Sequence, residues 1–176
     1  WMGCGECAVC RRGDEQLCRT PSSLGVFRAG GYSDFLLVPH PRYLFDIGDL
    51  PPEKAAPLAC SGVTTYGALK KVGAVLKSEP LVIIGAGGLG LMCLALHKAM
   101  GGHSAIVVDI DPVKRAAAKM AGARQVIDGG ARDAAQQIVA ATNGGAWAAI
   151  DLVGSSGTAR LAIDSLIETL IGAPDR

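Results

Sequence analysis

Leu81-Val82-Ile83-Ile84-Gly85-Ala86-Gly87-Gly88-Leu89-Gly90 is the stretch that decides the fold of this chain. Its four consecutive branched or large apolar residues predict a strand that is buried on both faces, as in a parallel sheet. They lead into the pattern Gly-x-Gly-x-x-Gly and then into residues 89–96, which have the composition of a helix. Gly85 permits the tight turn, Gly87 allows a pyrophosphate to approach the backbone, and Gly90 allows helix and strand to pack closely. The phosphates would lie at the N-terminus of that helix, where free amides favour negative charge.

An acidic residue ends the next predicted strand, residues 105–109, at the position expected of a ribose ligand. Asp109 lies 19 residues after Gly90, close to the roughly 20 residues of dinucleotide-binding units. Its oxygens can accept both ribose hydroxyls, and its charge would repel a 2′-phosphate, so NAD is favoured over NADP. Lys114 could reach the same ribose, or be an ordinary exposed helical lysine. The simpler alternative for the glycine turn is an ordinary strand–turn–helix without a ligand. The simpler alternative for Asp109 is an acidic residue that only ends a strand.

Strands and helices alternate along the rest of the chain. Further strands are predicted at 125–127 and 148–153, and helices from Asp111-Pro112 to Ala121, over 131–141 and after residue 156. The last helix is predicted to bury one apolar face formed by Ala159, Ala162, Ile163, Leu166, Ile167 and Leu170. This alternation predicts an α/β fold with a doubly wound parallel sheet of the Rossmann type over residues 60–176, incomplete on its C-terminal side.

The first part of the chain has a different composition. Residues 1–59 are rich in glycine, proline and short apolar segments, and strands are predicted at 32–38 and 43–45. We therefore expect the tail of a small β-rich catalytic domain, which includes a lobe with four cysteines. Because the chain begins with Trp1 and not with an initiator methionine, we interpret it as part of a longer sequence.

Composition and charge exclude several classes of protein. An apolar content of 49% with 19% charged residues is typical of a chain with a real core. A formal charge of +1 without a basic run argues against a nucleic-acid or anionic-membrane partner. The uncharged apolar stretch of residues 81–96 has 16 residues and four glycines, too short and broken to span a bilayer. A cytoplasmic location is predicted.

Four cysteines near the start have the spacing of metal ligands. Cys4-x2-Cys7-x2-Cys10-x7-Cys18 predicts a closed tetrahedral zinc site, which would supply folding energy that a lobe with few apolar residues lacks. An iron–sulfur cluster is the sharper alternative, but the bacterial ferredoxin run continues with x3-Cys-Pro, whereas here seven residues intervene and Arg19 follows. Disulfides or unliganded thiols are the remaining alternatives.

The other cysteines and the histidines carry weaker signals. By spacing alone, Cys60 in its alanine-rich segment is more often a small buried apolar residue than a ligand. Cys93 lies on the apolar stripe of the helix that follows the glycines. His40, His97 and His103 do not pair at metal-ligand spacing and are interpreted as ordinary residues.

Three motifs in one order resemble the zinc-containing, medium-chain alcohol dehydrogenases over essentially residues 1–166. They are the four-cysteine run, the segment Leu58-Ala59-Cys60-Ser61-Gly62-Val63-Thr64-Thr65-Tyr66, and the glycine turn with Val107-Val108-Asp109. The resemblance implies a structural zinc on Cys4, Cys7, Cys10 and Cys18, and Cys60 as one of three protein ligands of a catalytic zinc. It further implies that Thr64 lies against the nicotinamide. Gly88 and Leu89 would face the pyrophosphate, with Leu89 also backing the nicotinamide ring, Asp109 and Lys114 would hold the ribose, and Ile110 and Val153 would flank the adenine.

The activity that this resemblance implies is NAD-dependent interconversion of an alcohol and an aldehyde or ketone by zinc-assisted hydride transfer. The expected partner is a small-molecule alcohol or carbonyl compound, and the expected assembly is a homodimer or homotetramer. Since the family's other catalytic-zinc ligands would precede Trp1, we expect this chain alone to be inactive. The alternatives are a non-catalytic nucleotide-binding relative that retains only the structural zinc, a zinc-free NADPH quinone reductase, and an iron–sulfur electron-transfer module fused to a nucleotide domain.

Overall fold

The chain forms two compact units that divide after Gly48. The structure is a computed structural model, and it describes residues 2–167. Residues 49–59, which the sequence analysis grouped with the first part of the chain, belong to the second unit. The assignment of the two units to a catalytic and a cofactor domain stays a prediction.

The first unit consists mainly of turns. It contains the short helix α1 (Ala8–Arg11) and 3-10 turns at Glu15–Leu17 and Pro41–Tyr43. The strands predicted at 32–38 and 43–45 do not form: between residues 2 and 48 the ladder pairing is an isolated bridge between Leu24 and Arg28. The prediction was wrong because strand-forming residues need a partner strand and a surface to pack on. In this unit Phe35, for example, is 90% exposed.

The second unit is an α/β structure built on a four-stranded parallel sheet, as predicted. The strands lie in the order β3 (Gln125–Asp128), β2 (Ser104–Asp109), β1 (Pro80–Ile84), β4 (Ala148–Asp151), and all three strand pairs are parallel. Within residues 2–167, no helix is long and apolar enough to cross a membrane. In chain order the elements are α2 (Pro52–Ala55), α3 (Ser61–Val72), β1 (Pro80–Ile84), α4 (Gly88–Ala99), β2 (Ser104–Asp109), α5 (Pro112–Met120), β3 (Gln125–Asp128), α6 (Ala134–Ala141), β4 (Ala148–Asp151) and α7 (Ser156–Asp164), with 3-10 turns at Ala56–Ala59 and Gly73–Lys77.

The core lies on both faces of the central strand β1. Leu81 and Ile83 face one apolar cluster, which includes Cys93, whereas Val82 and Ile84 face a second cluster on the opposite side of the sheet. All four strand residues are buried. This confirms that the uninterrupted apolar run is a strand covered by helices on both sides.

Two helix starts follow their sequence signals, and one helix end does not. Asp111 caps α5, since its carboxylate accepts a hydrogen bond from the Val113 amide at 2.8 Å. Ser155 caps α7 through a reciprocal capping box. However, α7 ends at Asp164, because the chain then pairs with Ala146: the Ala146 amide donates to the Ser165 carbonyl at 2.8 Å.

The apolar face predicted for that last helix is therefore shorter than expected. Leu166 takes part in the bridge to Ala146, and Ile163 is half exposed. Leu170, the last member of the predicted face, lies outside the described residues.

Candidate nucleotide site and metal centre

The carboxyl edge of the sheet carries an aspartate at the end of three of its four strands. Asp109, Asp128 and Asp151 end β2, β3 and β4. Each accepts a hydrogen bond from the amide two residues further along the chain, at 2.8–2.9 Å. All three carboxylates thus stabilise the turns that follow the strands, as aspartates commonly do. This local role does not distinguish one from another.

Asp109 alone of these three reaches the glycine turn. Its Oδ2 accepts a hydrogen bond from the Ala86 amide at 2.7 Å, between Gly85 and Gly87. Partial burial opposes its ionisation, but the amide hydrogen bonds from Ala86 and Asp111 outweigh that effect, with help from nearby Lys114, and the pKa of Asp109 lies below its ordinary value. A carboxylate has about four acceptor positions. Asp109 is therefore negative at neutral pH and retains room for further donors.

The glycines of the turn fall into two groups. Gly85 has φ +96°, and a Cβ there would lie 2.8 Å from Val153 Cγ2. A Cβ on Gly90 would overlap the Gly85 carbonyl oxygen. The fold itself therefore requires glycine at both positions.

Gly87 and Gly88 are different, because nothing in the chain requires them to be glycine. Both are exposed, neither has φ in the left-handed region, and a Cβ on either would meet no atom within 4 Å. The space that they leave lies at the start of α4, where no side chain of the described residues caps the first amides of the helix. This open helix N-terminus fits a phosphate group.

A cavity of about 420 Å³ lies beside Asp109 and brings five of the predicted site residues together. Ile110 and Val153 contribute exposed apolar side chains to it. The predicted residues Gly87, Gly88, Leu89 and Gly90 are not part of its lining and form the start of α4 instead. The complete lining is Ile84, Gly85, Val108, Asp109, Ile110, Lys114, Gly129, Val153, Ser155, Gly157, Thr158 and Leu161.

The sequence analysis did not identify Arg115, which links the ends of two strands beside this cavity. Arg115 donates from Nη1 to the Asp109 carbonyl at 2.8 Å, and its Nη2 lies 3.3 Å from Asp128 Oδ2. It thereby joins the ends of β2 and β3 to the first turn of α5. The repeated aspartate at the strand ends was a signal available in the sequence, whereas nothing local distinguished Arg115 from other helical arginines.

Cys60 and Thr64 lie one turn apart at the beginning of α3. Both are exposed, and the Thr64 amide donates to the Cys60 carbonyl at 3.0 Å. Their exposure allows the predicted roles at a substrate and nicotinamide site, but does not test them. In the part of the chain that the structure describes, a single cluster of three or more potential metal ligands occurs, and it does not include Cys60.

That cluster is formed by the four cysteines of the first unit. The Sγ atoms of Cys7 and Cys10 are 3.5 Å apart, those of Cys4 and Cys10 are 3.9 Å apart, and all four lie within 4.8 Å of one another. A tetrahedral zinc with bonds of about 2.3 Å separates its sulfurs by about 3.8 Å. Disulfide sulfurs would lie about 2 Å apart, and a cluster would insert several iron atoms and sulfides between the thiolates. The spacing therefore fits a single tetrahedral cation.

The lobe also prepares its thiols for a cation. Backbone amides of Glu6 and Cys7 lower the pKa of the Cys4 thiol to about 6. A hydrogen bond from the Cys4 amide also lowers the pKa of the Cys18 thiol below its ordinary value. Burial raises the pKa of Cys10 to about 12. A buried thiol of this kind becomes a thiolate when a bound metal ion supplies positive charge. The four residues therefore fit the chemistry of zinc.

The histidines have the structural roles expected of ordinary residues. His40 caps the turn Pro41–Tyr43, since its Nδ1 accepts from the Arg42 amide at 3.1 Å. His97 is buried on α4, and its Nε2 has no hydrogen-bond partner among the described residues. His103 is exposed.

The parallel sheet and its glycine turn define a Rossmann-type α/β protein, and the cysteine lobe adds a metal-binding unit to it. A family model described as zinc-binding dehydrogenase matches residues 88–169. The chain is 45% identical over 160 residues to the NAD-dependent alcohol dehydrogenase of Sulfurisphaera tokodaii, covering 90% of this chain and 46% of that protein.

Solved structures give the same result. The D-arabinose dehydrogenase of Sulfolobus solfataricus matches with a TM-score of 0.86 and 32% identity, over 95% of this chain and 53% of that one. The alcohol dehydrogenase of Aeropyrum pernix matches with a TM-score of 0.82 and 32% identity, over 94% of this chain and 49% of that one. The chain thus spans about half the length of the relatives it matches. It belongs to the zinc-containing medium-chain alcohol dehydrogenase family, as its three motifs predicted.

Proposed function

We propose that this chain is part of an NAD-dependent oxidoreductase that interconverts an alcohol and an aldehyde or ketone with the help of zinc. One observation carries the proposal. The ionised Asp109 carboxylate is hydrogen-bonded to a glycine turn that leaves its helix N-terminus open, and it borders a cavity with apolar walls. The carboxylate suits a ribose, the open helix N-terminus suits a diphosphate, and the apolar cavity suits an adenine. The names of the matched relatives support the same reaction class.

In this proposal the cofactor is held by residues of the second unit. Ile110 and Val153 would flank the adenine, and Asp109 with Lys114 would hold the adenosine ribose. The charge of Asp109 would exclude a 2′-phosphate, which favours NAD over NADP. Beyond the cavity, the amides of Gly88 and Leu89 would bind the pyrophosphate, with Gly87 leaving room for it, and Leu89 would back the nicotinamide against which Thr64 lies.

Two zinc sites are proposed. Cys4, Cys7, Cys10 and Cys18 would hold a structural zinc, because their sulfurs already have tetrahedral spacing. Cys60 would supply one thiolate to a catalytic zinc, whose other protein ligands would lie in the half of the protein that this chain does not span. When bound, zinc would supply Lewis-acid polarisation of the substrate oxygen, and NAD would supply the hydride acceptor. The role of this chain is to orient the cofactor and to provide that one ligand.

A non-catalytic relative that retains only the structural zinc is the second candidate. It is favoured because, within residues 2–167, Cys60 belongs to no group of three or more potential metal ligands. A zinc-free NADPH quinone reductase fits less well, since both the cysteine lobe and Asp109 oppose it. Cytoplasmic location, the small-molecule alcohol or carbonyl substrate and assembly as a dimer or tetramer stay predictions.

Substitution of Asp109 tests the cofactor proposal. We expect Asp109→Asn to raise the Kd for NAD by about ten- to a hundredfold, since a hydrogen bond to a charged group contributes about 1.5–3 kcal/mol. The preference for NAD over NADP should fall as well, because the repulsive charge is removed. Isothermal titration calorimetry of the purified chain with both dinucleotides measures both effects.

Asp151→Asn is the matched control for this experiment. Asp151 also ends a strand and accepts amides of the following turn, but it does not line the cavity. It should leave NAD affinity close to that of the unsubstituted chain. Equal NAD affinity of the Asp109→Asn variant and the unsubstituted chain would exclude Asp109 from the ribose site.

A further inference from the structure

A partly buried carboxylate in the first unit accepts hydrogen bonds from two distant parts of the chain. Glu15 Oε2 accepts hydrogen bonds from the Gly3 amide at 2.8 Å and from the Tyr43 hydroxyl at 2.9 Å. Its other oxygen, Oε1, lies 2.8 Å from Arg42 Nη2, and the Glu15 side chain is only 18% exposed. Gly3 and residues 42–43 are thus held by one side chain. We call Glu15, Arg42 and Tyr43 the Glu15 clamp.

The turn Pro41–Tyr43 presents two members of the clamp in a fixed orientation. His40 caps this turn through its hydrogen bond from the Arg42 amide. Arg42 Nη2 also donates to the Tyr43 hydroxyl at 2.6 Å, and the guanidinium lies 4.8 Å from the centre of the Tyr43 ring. Arg42 and Tyr43 therefore support each other as well as Glu15.

The opposite end of the clamp lies against the metal ligands. Gly3 precedes Cys4, and a Cβ on Gly3 would collide with Cys10 Sγ. The Cys4 amide donates to Cys18 Sγ at 3.4 Å. The backbone that Glu15 holds is therefore the backbone that places Cys4 among the other sulfurs.

Apolar packing offers little alternative support. Of the described residues of this unit, the buried apolar side chains are Met2, Cys10 and Cys18, and two of these are themselves metal ligands. Glu15 does not belong to the cluster of potential ligands. Its contacts instead resemble those of outer residues that orient the ligands of metal sites.

We propose that Glu15 is a positioning residue of the metal centre, which holds Cys4 in place through the Gly3 amide while Arg42 and Tyr43 hold Glu15. The inference rests on the metal site proposed above. If Glu15 has this role, metal affinity depends on Arg42 and Tyr43, which lie more than 20 positions after the last cysteine, Cys18. Loss of such outer contacts weakens metal binding by about 10–100-fold, because the free chain must then be ordered when the metal binds.

The experiment uses Co²⁺ as a probe of the full chain. Affinity is measured by competition with a chromophoric chelator, and the visible absorption of bound Co²⁺ reports the tetrahedral thiolate geometry. We expect Glu15→Ala to raise the Co²⁺ Kd by about 10–100-fold and to alter the absorption bands even at saturation. Glu15→Gln keeps the shape and an acceptor for Gly3 and should have a smaller effect.

Tyr43→Phe and Arg12→Ala complete the design. Tyr43→Phe should weaken binding in the unsubstituted chain but add nothing in Glu15→Ala, because Tyr43 acts through Glu15. Arg12 pairs with Asp14 in the same lobe at 3.7 Å, but both side chains are exposed, and Arg12→Ala should change neither affinity nor spectrum.

The possible failures are distinguishable. If Glu15→Ala and Glu15→Gln bind Co²⁺ with the affinity and spectrum of the unsubstituted chain, the positioning role is overturned and the metal site stands. If the unsubstituted chain itself gives no tetrahedral thiolate spectrum, the metal site and the positioning role both fall.

Discussion

The two units of this chain are stabilised in different ways. The second unit buries apolar side chains on both faces of a parallel sheet, with Leu81, Val82, Ile83 and Ile84 at its centre. The first unit, over residues 2–48, has 3-10 turns, one short helix and an isolated bridge, and exposes side chains such as Phe35. It is organised by four sulfurs and the polar contacts around them.

This difference shows how far each unit depends on a ligand. Apolar burial contributes about 25 cal/mol per Å² without any cofactor, so the sheet is expected to form before NAD binds. A lobe with few buried apolar groups gains its stability when the metal binds. In the proposed function, the dinucleotide would thus arrive at a preformed site, whereas the cation would complete the structure that holds it.

Removal of the metal gives the largest expected difference between the units. Structural zinc contributes apparent binding free energies of about 10–16 kcal/mol in small domains. We expect a chelator to abolish protection from hydrogen exchange in residues 2–23 and to leave β1 protected. Peptide-resolved hydrogen exchange with and without chelator measures this. A lobe that stays protected without metal would contradict the contrast between the two units.

Gly90→Ala should have the converse effect and destabilise the sheet. Its Cβ would overlap the Gly85 carbonyl oxygen, and overpacking of this kind costs about 3 kcal/mol. Urea denaturation followed by circular dichroism measures the loss, while Co²⁺ binding by the lobe should be unchanged.

Gly87→Ala is the matched control for that substitution. Because its Cβ would meet no atom within 4 Å, the free energy of unfolding should change by less than about 0.5 kcal/mol. Its NAD affinity should nevertheless fall, since the methyl group enters the space proposed for the diphosphate. An equal loss of stability in both variants would show that the two groups of glycines do not differ.

The smallest expected effect is a decrease in the stability of the second unit at acidic pH. Burial lowers the pKa of His97, whereas an unfolded histidine titrates near 6.5. Below that pH the unfolded state binds a proton that the native state resists, so stability falls as pH falls, by at most about 1.4 kcal/mol per pH unit.

His97→Leu should remove this component of the pH dependence. At neutral pH it should cost about 1 kcal/mol, for the loss of the ring's hydrogen bond to the Leu76 backbone, since the buried Nε2 itself has no partner among the described residues. His40→Gln, at an exposed position in the first unit, is the control and should retain the pH dependence of the unsubstituted chain. Denaturant titrations at pH 7 and pH 5.5 compare the three proteins. Equal slopes for His97→Leu and the unsubstituted chain would exclude His97 as the source.

The second unit was the more predictable from sequence. The apolar run before Gly85, the aspartate and proline before α5 and the alternation of strands and helices are local patterns, and the sheet confirmed them. In the first unit the cysteine spacing correctly predicted the cluster of four sulfurs. The strand predicted over residues 32–38 does not form, because composition cannot tell whether a strand has a partner.

What the sequence by itself determined is the strand, the glycine turn and the spacing of the four cysteines, since each depends on neighbours along the chain. The tertiary structure decided which of three similar strand-end aspartates faces the glycine turn: Asp109 does, through Ala86, whereas Asp128 pairs with Arg115. It also decided that Glu15 holds the backbone beside Cys4. These outcomes depend on contacts between residues far apart in sequence, which only the folded chain brings within hydrogen-bond distance.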